Sequence, residues 1–203
     1  MQLLEVKTKN NALKIEIYSR FIKKEEILIK KEIFNQMCEG GCINYGKKYS
    51  CPPFVLNFNS TIKENQGLYI ILFKVDLNQI KSTEYNKIRI ANVVLKSRIL
   101  KLMRYLEDKF NTTFLSSGAC NLCKPCKLKL DLPCKYPLKR RPSLEAVGID
   151  CNNLCEKLFN IKLLWYKNKK APEYSCVLCG LICYEKEIKN IEIELNKKLS
   201  ILN

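Results

Sequence analysis

Twelve cysteines and no histidine in 203 residues narrow the chemistry before any fold is considered. A thiolate is a soft metal ligand, a redox group and a nucleophile. Without His there is no Cys–His or Ser–His pair, no His-bearing zinc finger, no Rieske centre and no facial triad. The cysteines fall at 38, 42 and 51, then at 120, 123, 126 and 134, then at 151, 155, 176, 179 and 183, with none from 52 to 119. Thiols placed only to fill a core would not leave such a gap.

The middle group carries the most specific spacing. Cys120-Asn-Leu-Cys123-Lys-Pro-Cys126 is C-x2-C-x2-C, and Cys134 follows after seven residues. Three thiolates at that spacing suit one cubane, because each two-residue gap turns the loop and aims its amides at sulfur. The gap to the fourth Cys is longer than in bacterial ferredoxins. Zinc sites more often pair two C-x2-C knuckles, which a third Cys so close would crowd. A [4Fe–4S] cluster is therefore favoured and zinc is the alternative. Residues 120–141 hold seven Lys and Arg against Asp131, a net of +6. Those cations would offset the charge of a thiolate cluster and raise its potential; a solvated or phosphate-binding surface is the blander reading.

The first group, Cys38-Glu-Gly-Gly-Cys42-Ile-Asn-Tyr-Gly-Lys-Lys-Tyr-Ser-Cys51-Pro-Pro-Phe54, supplies three thiols. Gly40, Gly41 and Gly46 permit the turns a loop around a cluster requires, Pro52 and Pro53 stiffen its exit, and Tyr45 and Tyr49 could shield it from water. Either a distant Cys completes the site or one iron stays open to a substrate, the arrangement expected here because the glycines leave room. In the last group, Cys151 and Cys155 would share a helix face. Cys176, Cys179 and Cys183 suit a helix face or a ligand loop; core packing and metal ligation are both open for these five.

The ordered set C-x3-C-x2-Y-G-x4-C-P-P-F, C-x2-C-x2-C-x7-C-x2-P and Arg141-Pro-Ser-Leu-Glu-Ala-Val-Gly-Ile-Asp150 resembles the family of predicted metal-binding proteins called domain of unknown function 2284. The resemblance spans roughly residues 30–165. It implies a metal site, iron–sulfur in character, at Cys38, Cys42 and Cys51 and at Cys120, Cys123, Cys126 and Cys134. It suits a small residue at Ser50, and it implies no established reaction. Within the third motif, Ser143 and Glu145 suit helix capping better than contact with a sulfur or substrate.

These groups need a scaffold. Leu68 to Val75 reads as a buried strand, Ile80 to Phe110 as a long amphipathic helix, Thr112 to Leu115 and Leu13 to Tyr18 as strands, and Lys24 to Met37 as a helix ending before Cys38. Asp150 can cap a helix over Cys151 to Phe159. Ile161 to Tyr166 reads as a strand and Glu185 to Leu202 as a helix. The expected fold is α+β, or α/β, with a mixed sheet, flanking helices and cysteine-rich metal-binding loops. A single metal-binding domain over 1–203 is expected, with 166–203 as a cysteine-rich extension.

The formal net charge is +16 and charged residues make up 28%. No stretch has the roughly 20 apolar residues of a membrane span, and Met1 to Asn10 lacks the apolar core of a signal peptide. A cytoplasmic, reducing location is expected, where clustered thiols mean metal or redox chemistry. Three functions follow, in this order. The first is an iron–sulfur protein, with two or three [4Fe–4S] clusters, doing electron transfer with a redox partner. The second is an enzyme binding a small-molecule substrate at an open iron, with Tyr45, Tyr49 or Glu145 as acid. The third is a zinc-bearing module that binds nucleic acid through its basic charge, the least favoured because no nucleic-acid motif is present.

Overall fold

The computed structural model describes residues 1–8 and 12–200. Five strands form one sheet in the order β1 (Gln2–Lys7), β2 (Ala12–Lys23), β3 (Gln66–Asp76), β5 (Tyr174–Tyr184), β4 (Phe114–Leu115). Four helices accompany it: α1 (Lys31–Glu39), α2 (Glu84–Phe110), α3 (Cys151–Phe159) and α4 (Ile188–Leu199). The architecture is α+β. Every strand ladder is antiparallel, so the sheet is not mixed and the α/β alternative falls away.

β3 sits at the centre because its side chains can be buried on both faces. Its alternation sends Tyr69, Ile71, Phe73 and Val75 to one core and Leu68, Ile70 and Leu72 to the other. The first core is closed by α2 and α4 through Leu95, Ile99, Leu102, Ile191 and Leu195. The second is closed by α3, by the 144–149 segment and by Phe58 and Ile62. Asp150 caps α3, its carboxylate accepting from Asn153 N–H at 3.0 Å.

Four local expectations change. The Lys24–Met37 helix splits: a 3-10 turn over 24–26 gives way to extended backbone at Ile27 to Ile29, and α1 starts at Lys31 and includes Cys38. Residues 161–166 form no ladder. β1, which shows no marked alternation beyond Leu4 and Val6, is added as a hairpin partner of β2. Cys176, Cys179 and Cys183 lie in strand β5, not on a helix or a loop. The end of the expected last helix, at 201 and 202, lies outside the described residues.

The Arg141–Asp150 motif is the bracket from which both motif-bearing cysteine groups hang. Ser116 N–H donates to Pro142 O at 2.7 Å and Leu144 N–H to Ser116 O at 3.1 Å, so the 117–141 excursion leaves and returns on neighbouring backbone. Lys30 N–H donates to Gly148 O at 2.7 Å and Asp150 N–H to Leu28 O at 3.0 Å, which fixes the start of α1. Gly148 has φ +100°, and a Cβ there would stand 2.9 Å from Lys31 Cα; only glycine allows that approach.

Candidate metal centre

Cys120, Cys123, Cys126 and Cys134 line one concavity, walled on its other side by Lys48, Tyr49 and Ser50 and bounded by Tyr136 and Arg140. It encloses about 20 Å³, and about 310 Å³ when the open space at its mouth is counted. The two cysteine loops are stitched together across that wall. Cys120 N–H donates to Ser50 Oγ at 2.9 Å, and the Cys51 thiol lies 3.9 Å from the same oxygen. Lys48 Nζ donates to Cys120 O and to Asn121 Oδ1, both at 3.0 Å. Tyr49 OH donates to Leu132 O at 2.9 Å, its ring packs edge-on to Phe54 at 5.9 Å, and the Arg140 guanidinium covers it at 5.4 Å. A hydroxyl at position 50 is thus the shared post of both loops.

The first group is gathered at the end of α1. Cys42 N–H donates to Cys38 O at 2.9 Å and Cys51 N–H to Lys48 O at 3.0 Å. Cys38, Cys42 and Cys51 interact with one another electrostatically. Burial pushes the Cys51 thiol upward in pKa; burial, then Cys42 and Glu145, do the same for Cys38. Cys42 is exposed. Beneath Cys38 lies Lys31, only 8% exposed, its ammonium donating to Val55 O at 3.1 Å and Ala146 O at 2.5 Å. Burial lowers its pKa while the Cys38 charge opposes that. The sequence offered no sign of Lys31, one of 36 basic residues; only the fold places it under a thiol.

The third motif divides its tasks. Ser143 Oγ accepts from Ala146 N–H at 3.1 Å, the capping role expected of it. Glu145 does not cap. Its carboxylate accepts from the Cys151 thiol and lies close enough to Cys38 to raise its pKa.

The five later cysteines are spread through the cores. Cys151 and Cys155 share a face of α3, with Cys176 of β5 near Cys155. Cys179 and Cys183 point to the opposite face of the sheet. No single centre can therefore gather 176, 179 and 183. Burial, the leading cause in each, pushes Cys155, Cys176, Cys179 and Cys183 up to about 12 and Cys151 well above its ordinary value.

A family model described as predicted metal-binding protein (DUF2284) matches residues 20–179. The chain belongs to this family. The DUF2284 match extends past the 30–165 span expected from the motifs. It takes in Cys151, Cys155, Cys176 and Cys179 and leaves Cys183 outside. Searches of curated proteins and of solved structures gave no match.

The donor set of this DUF2284 chain fits a thiophilic metal. All twelve cysteines are free thiols, and four of them surround one cavity. As placed, no three Cys, Asp or Glu side chains among the described residues converge on a point that could hold a single metal ion.

Proposed function

We propose that this DUF2284 protein holds iron–sulfur clusters and serves electron transfer with a partner enzyme in a reducing, cytoplasm-like compartment. The observation that carries the reading is the four-thiol cavity of Cys120, Cys123, Cys126 and Cys134. A cubane offers one iron to each of four thiolates, so it asks for thiols arranged around a cavity and not around a point. Bound there, such a group would supply one-electron redox chemistry. The chain's own residues would do the rest. Lys48 and the +6 balance of residues 120–141 would offset the thiolate charge, Ser50 would hold the Cys120 amide, and Tyr49 under Arg140 would keep water from one side. Exposed Leu122, Leu130, Leu132 and Leu138 alternate with those cations, a surface suited to an acidic redox partner.

A second reading, an enzyme with an open metal position, is favoured at the first group alone. The 38–51 segment supplies three thiols, Cys38, Cys42 and Cys51, and Glu145 stands close to Cys38.

The test is composition after anaerobic purification. The protein should be brown and contain iron and acid-labile sulfide in near-equal amounts. Replacing any one of Cys120, Cys123, Cys126 or Cys134 by Ala should remove much of one cluster's share. Colourless protein with stoichiometric zinc would refute the reading.

A further inference from the structure

At the root of the 117–141 loop, a second concavity of about 240 Å³, or about 740 Å³ with its open mouth included, opens along β5. β4 pairs only with Leu181 and Gly180 of that strand, and the groove begins where this short ladder stops. Lys96 of α2, Ser117, Glu145, Leu163, Trp165 and Cys176 line it. Gly118, at φ +107°, leaves room for the Lys96 side chain, whose Nζ lies 3.8 Å from where a Cβ would stand.

Three features of this lining call for a ligand. First, it presents one cation and one carboxylate, and among the described residues neither Lys96 nor Glu145 is in an ion pair. Second, the Ser117 Oγ is buried and its polar neighbour is the Cys179 thiol, a weak hydrogen-bonding group that leaves the hydroxyl capacity for a stronger partner. Third, Trp165, the sole tryptophan of the chain, is 65% exposed at the rim, a large flat apolar surface facing an open space. A concave site with apolar walls and a few converging polar groups is the usual form of a small-molecule site.

We propose that this groove binds a small zwitterion of the apolar α-amino-acid class. Its carboxylate would meet Lys96 and Ser117, its ammonium Glu145, and its side chain Leu163, Trp165 and Cys176. The charge pattern selects the class. A simple anion would face the Glu145 carboxylate, and a simple cation would face Lys96; one molecule carrying both charges satisfies both walls. Glu145 gives one hydrogen bond's worth of acceptance to the Cys151 thiol, and a carboxylate has further lone pairs for an ammonium.

The inference does not rest on the cluster reading, since no cysteine of the two motif loops lines this groove. Iron content and ligand binding are measured separately and can fail separately. The experiment is equilibrium dialysis of the full chain, prepared anaerobically, against L-leucine, L-methionine and L-phenylalanine. Phenylalanine amide, which lacks the carboxylate, and N-acetylphenylalanine, which lacks the ammonium, serve as counter-probes. At least one free amino acid should bind saturably, with a change in Trp165 fluorescence, and both blocked compounds should bind at least about tenfold more weakly, the loss of one charged contact. Lys96→Met, at an exposed position, should weaken the amino acid by a similar factor, and Ser117→Ala by less. Glu145→Gln should narrow the gap between phenylalanine and its N-acetyl form. No saturation by about 10 mM, weaker than a built site gives, would overturn the proposal. So would blocked compounds that bind as well as free ones, or a Lys96→Met variant with unchanged affinity.

Discussion

Cys51 and Cys155 are both buried, yet they stand in different chemical settings. Cys51 faces Ser50 Oγ and has Lys48 close by, both of which favour its thiolate against the burial that opposes it. Cys155 lies in the core on α3, near Cys176 and Glu145, with no cation beside it, and burial pushes it to about 12. A metal ligand must be deprotonated, so deep burial works against ligation by Cys151, Cys155, Cys179 and Cys183. Two outcomes follow from the sign of the shift. In native protein these four should resist iodoacetamide at pH 7 and again at pH 9, whereas an ordinary thiol of pKa about 8.5 would become far more reactive over that interval. In urea all four should label. Mass spectrometry reads the sites, and a pH-dependent native label on any of the four would refute the argument. The linkage runs the same way. The unfolded chain sheds these protons above about pH 8.5 while the folded chain keeps them, so stability should be full below that value and decline as pH rises toward about 12.

At the scale of elements, the question is what holds the Arg141–Asp150 bracket against the sheet. Glu107, 6% exposed near the end of α2, accepts from Arg104 at 2.8 Å, from Arg141 at the start of the bracket, and from Phe114 N–H at 3.2 Å. Arg104 in turn donates to Lys139 O at 2.7 Å. One carboxylate thus ties α2, β4 and the return of the cysteine loop. Glu107→Ala would leave the Arg141 guanidinium, 14% exposed, without its counter-charge, and should cost about 3 kcal/mol in urea unfolding, the penalty for breaking a buried pair from one side. A loss below about 0.5 kcal/mol, as for a surface pair, would show that the tie is idle. Glu107 was not legible in the sequence, because its burial depends on three segments meeting. β3, α2 and α3 were legible, since a β-branched apolar run, a 3.6-residue period and an Asp before the first turn are local signals. β5 was not. It is buried on both faces, so no polar alternation marks it, and its three Cys read equally as ligands or core. The 161–166 run shows the converse: it has strand composition but no neighbour to pair with. The cysteine groups of the candidate centre were legible from spacing alone, whereas Ser50 and Lys31 acquire their places only through contacts made across 70 residues or more.

For the molecule as a whole, the +16 charge and the crowding of seven basic residues into 120–141 bear on how electrons would enter or leave. No helix among the described residues is long and apolar enough to cross a membrane. A concentrated positive field speeds encounter with anions and slows encounter with cations, and salt erases both effects as the screening length falls from about 30 Å at 0.01 M to about 3 Å at 1 M. Stopped-flow oxidation of the reduced protein can read this field without knowledge of the natural partner. With ferricyanide, an anion, the rate should fall steeply as salt rises over that range; with a cationic cobalt complex it should rise. Charge reversal at Lys127 and Lys129, which lie in the 3-10 turn just after Cys126, should flatten the ferricyanide dependence while leaving iron content unchanged. Arg104→Gln, on α2 behind the loop, removes a single charge and should change the slope little. If the loop reversal left the slope intact, the net charge of the chain and not the cysteine loop would be steering the encounter, and the case for an acidic partner docking on residues 120–141 would fail.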